Sequence, residues 1–97
     1  MSILMGVLAE ELDRLNRQEV AFENSLSELP KGYISKKIIK GKEYFYLQHK
    51  ENGKVVSKYI SADHLQAVEE QVKRRKQLDE ALRRVRSDQK RLRKVLG

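Results

Sequence analysis

The chain has no cysteine and no tryptophan, and only one proline among its 97 residues. Without cysteine there can be no disulfide, no thiolate nucleophile and no thiolate metal site, and such a chain is expected in a reducing cytoplasm. Histidine is nearly absent too. His49 and His64 lie in different segments and lack the spacing of metal ligands. No Gly-rich phosphate loop, Ser/His/Asp context or paired-carboxylate signature is present. These absences predict a binding protein rather than an enzyme, with no cofactor and no metal. Long apolar runs are also missing. The opening MSILMGVLAEELDRL has no basic n-region, and Glu10 interrupts it well short of the roughly 20 apolar residues that a span requires, so no membrane role is expected.

Acidic residues are scarce over most of the chain. Residues 1–30 carry two basic side chains (Arg14, Arg17) against six acidic ones, a net of −4. Residues 31–97 carry the other 19 basic residues against eight acidic ones, a net of +11, and the two parts sum to +7. At this length a single domain, 1–97, is expected. A basic surface of this extent calls for an anionic partner, most often nucleic acid, although a merely well-solvated surface has the same composition.

What the chain does have is β-branched and aromatic residues concentrated in YISKKIIKGKEYFYLQHKENGKVVSKYI, Tyr33 to Ile60. Breaks at Lys40-Gly41-Lys42 and Asn52-Gly53 divide it into three strands. Asn-Gly between two such runs signals a type I′ hairpin turn, which needs positive φ at both central residues. That turn pairs Phe45 with Ile60, Tyr46 with Tyr59, Leu47 with Lys58 and His49 with Val56. A first turn at Gly41-Lys42 would set Ile38 opposite Phe45 and Ile34 opposite His49. Strand alternation then sorts the residues onto two faces. Ile34, Ile38, Phe45, Leu47, Val56 and Ile60 share a core face, with Phe45 expected to be buried. Tyr33, Tyr44, Tyr46 and Tyr59 share the other face with Lys37, Gln48 and Lys50.

Residues 3–29 read as a helix, with Met5, Leu8, Leu12, Leu15, Glu19, Phe22, Leu26 and Leu29 at heptad a/d spacing and Pro30 as the stop. Residues 62–96 read as one long basic helix with Ser61 as N-cap and no Gly or Pro inside it. Its apolar stripe turns by roughly a third of a circle across Lys73–Lys76 at about 100° per residue, so it serves two partners. Leu65, Val68 and Val72 back the sheet. Leu78, Leu82, Val85, Gln89, Leu92 and Leu96 match the first helix when the two run antiparallel, pairing Leu12 with Leu92 and Phe22 with Leu82. The polar seam residues Glu19 and Gln89 are offset in this register and not expected to meet. The competing arrangement is a parallel coiled coil between two chains. The expected fold is therefore α+β: a three-stranded antiparallel β-meander between two long helices that pair as an antiparallel coiled-coil hairpin. In that hairpin Glu11, Glu19 and Glu23 would offset part of the basic cluster Arg83–Lys94, which discounts the cluster as a binding patch.

The runs Gly41-Lys42-Glu43-Tyr44-Phe45-Tyr46-Leu47 and Gly53-Lys54-Val55-Val56-Ser57-Lys58-Tyr59-Ile60 resemble a β-meander near the start of many insertion-sequence transposases. They are also similar to small bacterial proteins that couple such a meander to a charged helix. The similarity covers about 30 residues and includes no catalytic acidic triad, so it implies a mobile-element setting and no catalysis. In architecture alone, the sheet backed by a helix resembles the arm-binding domains of tyrosine recombinases. That resemblance implies a sheet laid in the DNA major groove.

These readings converge on a nucleic-acid-binding accessory or regulatory protein, for DNA ahead of RNA. Lys37, Tyr44, Tyr46, Gln48, Lys50 and Tyr59 would form its surface, with Lys40, Lys42 and Lys54 holding phosphates at the turns. Unpaired bases stacked on the tyrosines are the single-stranded version of the same reading. The rival class is a protein-interaction or oligomerisation module acting through the helices, because the apolar residues of 1–12 exceed what one seam buries.

Overall fold

A computed structural model describes residues 2–97. Helix α1 (Ile3–Ser27) is followed by strands β1 (Tyr33–Ile39), β2 (Lys42–Glu51) and β3 (Lys54–Ile60) and then by helix α2 (Ala62–Leu96). The sheet is antiparallel in the order β1-β2-β3. The α+β plan is thus the expected one, a meander that falls in sequence between two long helices that pair with each other. Met1, counted above with the apolar start of α1, lies outside the described residues. The chain gathers into two compact units, Met1–Glu28 with Gln77–Gly97, and Leu29–Lys76, so that α2 gives one part to each.

The first unit is the helical hairpin. Ser2 caps α1, its Oγ accepting from the Met5 amide at 3.2 Å. The helix ends at Ser27, two residues before the expected limit, and the Glu28 amide closes it onto the Leu26 and Ser25 carbonyls. Leu29 precedes a proline and is driven out of the α region, which leaves Glu28 as the last residue able to cap. Leu15 and Leu26 of α1 and Leu78, Leu82 and Val85 of α2 are buried, all at seam positions. The two polar seam residues do meet, contrary to expectation. Gln89 is 1% exposed, and its Nε2 donates to Asn16 Oδ1 at 2.9 Å and to Glu19 Oε1 at 3.3 Å. A buried amide left without partners is costly, so its side chain reaches to the acceptors on α1. Arg86 bridges the helices as well, Nε to Glu19 Oε2 at 3.2 Å and Nη2 to Glu23 Oε1 at 3.1 Å. Glu11 pairs with Arg14 on its own helix instead of crossing to α2.

The second unit is the meander with the first turns of α2. The β2–β3 register is the expected one, Phe45 with Ile60 and Tyr46 with Tyr59. The β1–β2 register differs: Ile34 pairs with Leu47 and Ile38 with Glu43. The turn is Lys40-Gly41, at φ 52° and 79°, matching Asn52-Gly53 at 52° and 78°. Both are the positive pairs a type I′ turn requires, with glycine in the second place in each. Moving the register by two residues leaves every side chain on its assigned face, because the strand period is two. Gly32, at φ 119°, lets the chain pass against β2; a Cβ there would sit 2.2 Å from the Gln48 carbonyl oxygen.

The core face of the sheet is less covered than expected. Ile60 is buried at 6% exposure, but Phe45 and Leu47 are only half-buried and Ile38 is 65% exposed. From α2, Leu65, Val68 and Val72 contribute half-buried side chains. A groove of about 450 Å³ remains between Leu47, Ile60 and Val68, with Pro30 and His64 at its walls. The Ser61 carbonyl accepts from the His64 amide at 3.0 Å, while the Ser61 hydroxyl shares a 2.7 Å hydrogen bond with His64 Nδ1. Arg75 Nη1 donates to the Leu29 carbonyl at 3.1 Å, tying α2 to the segment that leads into β1.

Candidate nucleic-acid interface

The face of the sheet away from the groove is built from alternate residues of each strand: Tyr33, Ser35, Lys37 and Ile39 of β1; Lys42, Tyr44, Tyr46, Gln48 and Lys50 of β2; Val55, Ser57 and Tyr59 of β3. It carries three lysines and no acid. Both glutamates of the sheet, Glu43 and Glu51, fall on the opposite face, where Glu43 pairs with Lys36 at 3.4 Å and Glu51 with His49 at 3.6 Å. The alternation that collects the tyrosines therefore also excludes the carboxylates.

Three of the four tyrosines, Tyr44, Tyr46 and Tyr59, form one cluster across β2 and β3. Tyr46 and Tyr59 are direct cross-strand partners, with ring centroids 5.8 Å apart and meeting edge to face at 66°. Tyr44 lies diagonally from Tyr59, at 6.4 Å and 53°. Pairs of this geometry stabilise a sheet beyond the area they bury. Lys37 Nζ stands 4.9 Å from the Tyr46 ring centroid, a cation–π contact that holds the ammonium over the cluster. Next along β2, Gln48 Nε2 donates to Ser57 Oγ at 2.9 Å, so one end of the amide is already engaged.

Of the nine residues expected at the interface, Lys37, Lys42, Tyr44, Tyr46, Gln48, Lys50 and Tyr59 share this face. Lys40 sits in the β1–β2 turn, and Lys54 falls on the other face, opposite Glu51. Tyr33, Ser35 and Ser57 belong to the face but were not among the expected interface residues. Tyr33 is largely exposed beside Gln48, and its strand parity was the signal that could have included it. Among the described residues, no three His, Asp or Glu side chains come together as a metal-binding group. No helix among them is long and apolar enough to cross a membrane.

Fold and face together define a small α+β protein with a helical hairpin and an acid-free Tyr/Lys sheet surface. Residues 8–74, from within α1 to within α2, match a domain of unknown function, DUF6788, and the chain belongs to that family. No curated protein and no solved structure matches the chain.

Proposed function

We propose that the protein binds duplex nucleic acid, DNA ahead of RNA, through the Tyr/Lys face of the meander, as a non-catalytic accessory or regulatory protein. The observation that carries this reading is the sorting of charge: Lys37, Lys42 and Lys50 share one face with four tyrosines while both sheet glutamates are turned away. The B-DNA major groove, about 12 Å wide, admits a β-ribbon. Lysines would hold phosphates, tyrosine hydroxyls would reach phosphate or sugar, and the free end of Gln48 would face base edges. A duplex is favoured over unpaired bases because Tyr44 and Tyr46 are half-buried in the cluster and Lys37 stands over the Tyr46 ring, which leaves Tyr33 and Tyr59 as the largely exposed rings. The likeness of the Gly41–Leu47 and Gly53–Ile60 runs to transposase N-terminal regions supports a mobile-element setting.

Fluorescence anisotropy with a generic labelled duplex at low salt tests the reading. Replacing Lys37 and Lys50 by alanine should weaken binding and leave the circular dichroism spectrum unchanged. The slope of log K against log[salt] should become shallower by about 0.9 for each phosphate that the variant no longer neutralises. A protein that ignores both DNA and RNA at low salt ends the proposal.

A second reading rests on α1, where Ile3 is 90% exposed and Leu4 and Val7 are largely exposed. Three apolar side chains on the first two turns suit a homodimer or a protein partner held through residues 2–12. Sedimentation that stays monomeric at high concentration, with no change on Leu4→Glu, would remove the homodimer.

A further inference from the structure

The second half of α2 carries far more positive charge than the hairpin offsets. Between Arg83 and Lys94 stand seven basic residues against one acid, Asp88, a net of +6. The offset expected from α1 is present but converges on one arginine: Glu19 and Glu23 both reach Arg86, and Glu11 does not cross. Among the described residues of this stretch, Arg86 is the one that donates hydrogen bonds to carboxylates of α1, those of Glu19 and Glu23, and Arg93 acts on Glu19 through charge alone. Arg91 lies 3.9 Å from Asp88, and Glu11 is occupied by Arg14. Arg83, Arg86, Lys90, Arg93 and Lys94 fall within a sector of about 100° on the helix surface, counted at 3.6 residues per turn. Arg86, Lys90, Arg93 and Lys94 line one open groove of about 570 Å³ with Glu19 and Gln89. Its single carboxylate, Glu19, is already bound by Arg86 and Gln89.

Two ordinary explanations cover only part of this stripe. Cations near a helix C-terminus offset the macrodipole, but that effect fades within the last turn, which holds only Arg93 and Lys94. A basic helix can also lie on an anionic membrane, but it then needs an exposed apolar face. Here Leu82 and Val85 are buried, Leu92 and Leu96 are half-buried, and Val95 is the one largely exposed apolar side chain of the segment.

We infer that the stripe Arg83–Arg86–Lys90–Arg93–Lys94 is a second polyanion-binding surface, whose ligand is the phosphate backbone of nucleic acid held without reading bases. Guanidinium forks suit bidentate phosphate binding, and the stripe offers those of Arg83 and Arg93 with two ammonium groups, while Arg86 is held by Glu19 and Glu23. It goes beyond the proposed role of the meander and stands on different residues in the other compact unit.

The test uses the full chain and a labelled 20-base-pair duplex titrated across a salt series. Arg83, Lys90, Arg93 and Lys94 are replaced together by alanine, in parallel with the Lys37→Ala, Lys50→Ala protein. The stripe variant should lose at least about tenfold in affinity at low salt, and its salt slope should fall by about 3, near 0.9 for each of three to four phosphates. Arg83→Lys with Arg93→Lys, which keeps the charge, should retain the slope. Circular dichroism and melting monitor the fold, and Arg83→Glu with Lys94→Glu serves if the fourfold variant does not fold. An unchanged slope in the stripe variants that remove charge, or loss of binding in the meander variant alone, overturns the inference. Loss of binding in the stripe variants alone supports it and instead removes the meander from the proposed function. Vesicles containing phosphatidylserine replace the duplex in a second arm. Capture by vesicles without capture of duplex overturns the choice of nucleic acid.

Discussion

Gly32 has a tighter constraint than any other glycine in the chain. Its φ of 119° disfavours every L side chain, and the site of its missing Cβ is filled by the Gln48 carbonyl. Gly32→Ala should therefore destabilise the meander by about 1–3 kcal/mol from overpacking, with backbone strain added. Gly41→Ala gives a useful contrast, because its Cβ would meet open space and only the φ of 79° opposes it. Chemical denaturation of the two variants should rank Gly32→Ala as the worse. If they rank the other way, the close approach to β2 is not what fixes this residue. Neither effect was legible from composition, since a Lys-Gly pair before a strand does not reveal which carbonyl the chain will cross.

At the scale of elements, the sheet relies on one buried residue more than on its aromatic centre. Ile60 is buried at the junction of β3 and α2, whereas Phe45 keeps part of its ring in solvent. Ile60→Ala should cost about 2–5 kcal/mol, the range for a buried aliphatic truncation. Phe45→Ala should fall below the roughly 3–5 kcal/mol typical of a fully buried ring, in proportion to the area it hides. Urea unfolding of both variants measures this. A larger loss from Phe45→Ala would mean that α2 covers the sheet more fully than the groove beside Leu47 implies. The hairpin depends on its apolar seam, and its one buried polar residue is partnered by α1.

For the molecule as a whole, the division of charge predicts a dependence of stability on pH. The Glu19 carboxylate is held below its ordinary value of 4.5, first by the hydrogen bond from Arg86 and then by that from Gln89. Glu11 is lowered too, chiefly by the hydrogen bond from Arg14. A carboxylate whose pKa is lower folded than unfolded contributes its full stabilisation above the unfolded value. That contribution is lost as pH falls through the folded one. The melting midpoint should thus hold steady at neutral pH and drop as the solution is acidified below about pH 4.5. Glu19→Gln should melt lower than the natural chain at neutral pH, and the gap should narrow in acid. A gap that stayed constant across the titration would show that Glu19 acts by shape rather than charge.

The sequence by itself determined the element order, the two faces of the sheet and the seam of the hairpin. Each follows from a periodicity, two for strands and three to four for helices, that local chemistry imposes on side-chain direction. The Asn52-Gly53 turn set the β2–β3 register for the same local reason. The tertiary structure alone decided which two residues of Lys40-Gly41-Lys42 make the first turn, that Phe45 keeps part of its ring in solvent and which cations find carboxylates. The last of these depends on distances between segments far apart in the chain, such as Arg86 to Glu19, as does the pairing of Gln89 with Asn16. Periodicity places a side chain on a face. Only packing places another group within reach of it, which is why the charge on the second half of α2 could be counted in the sequence but not assigned.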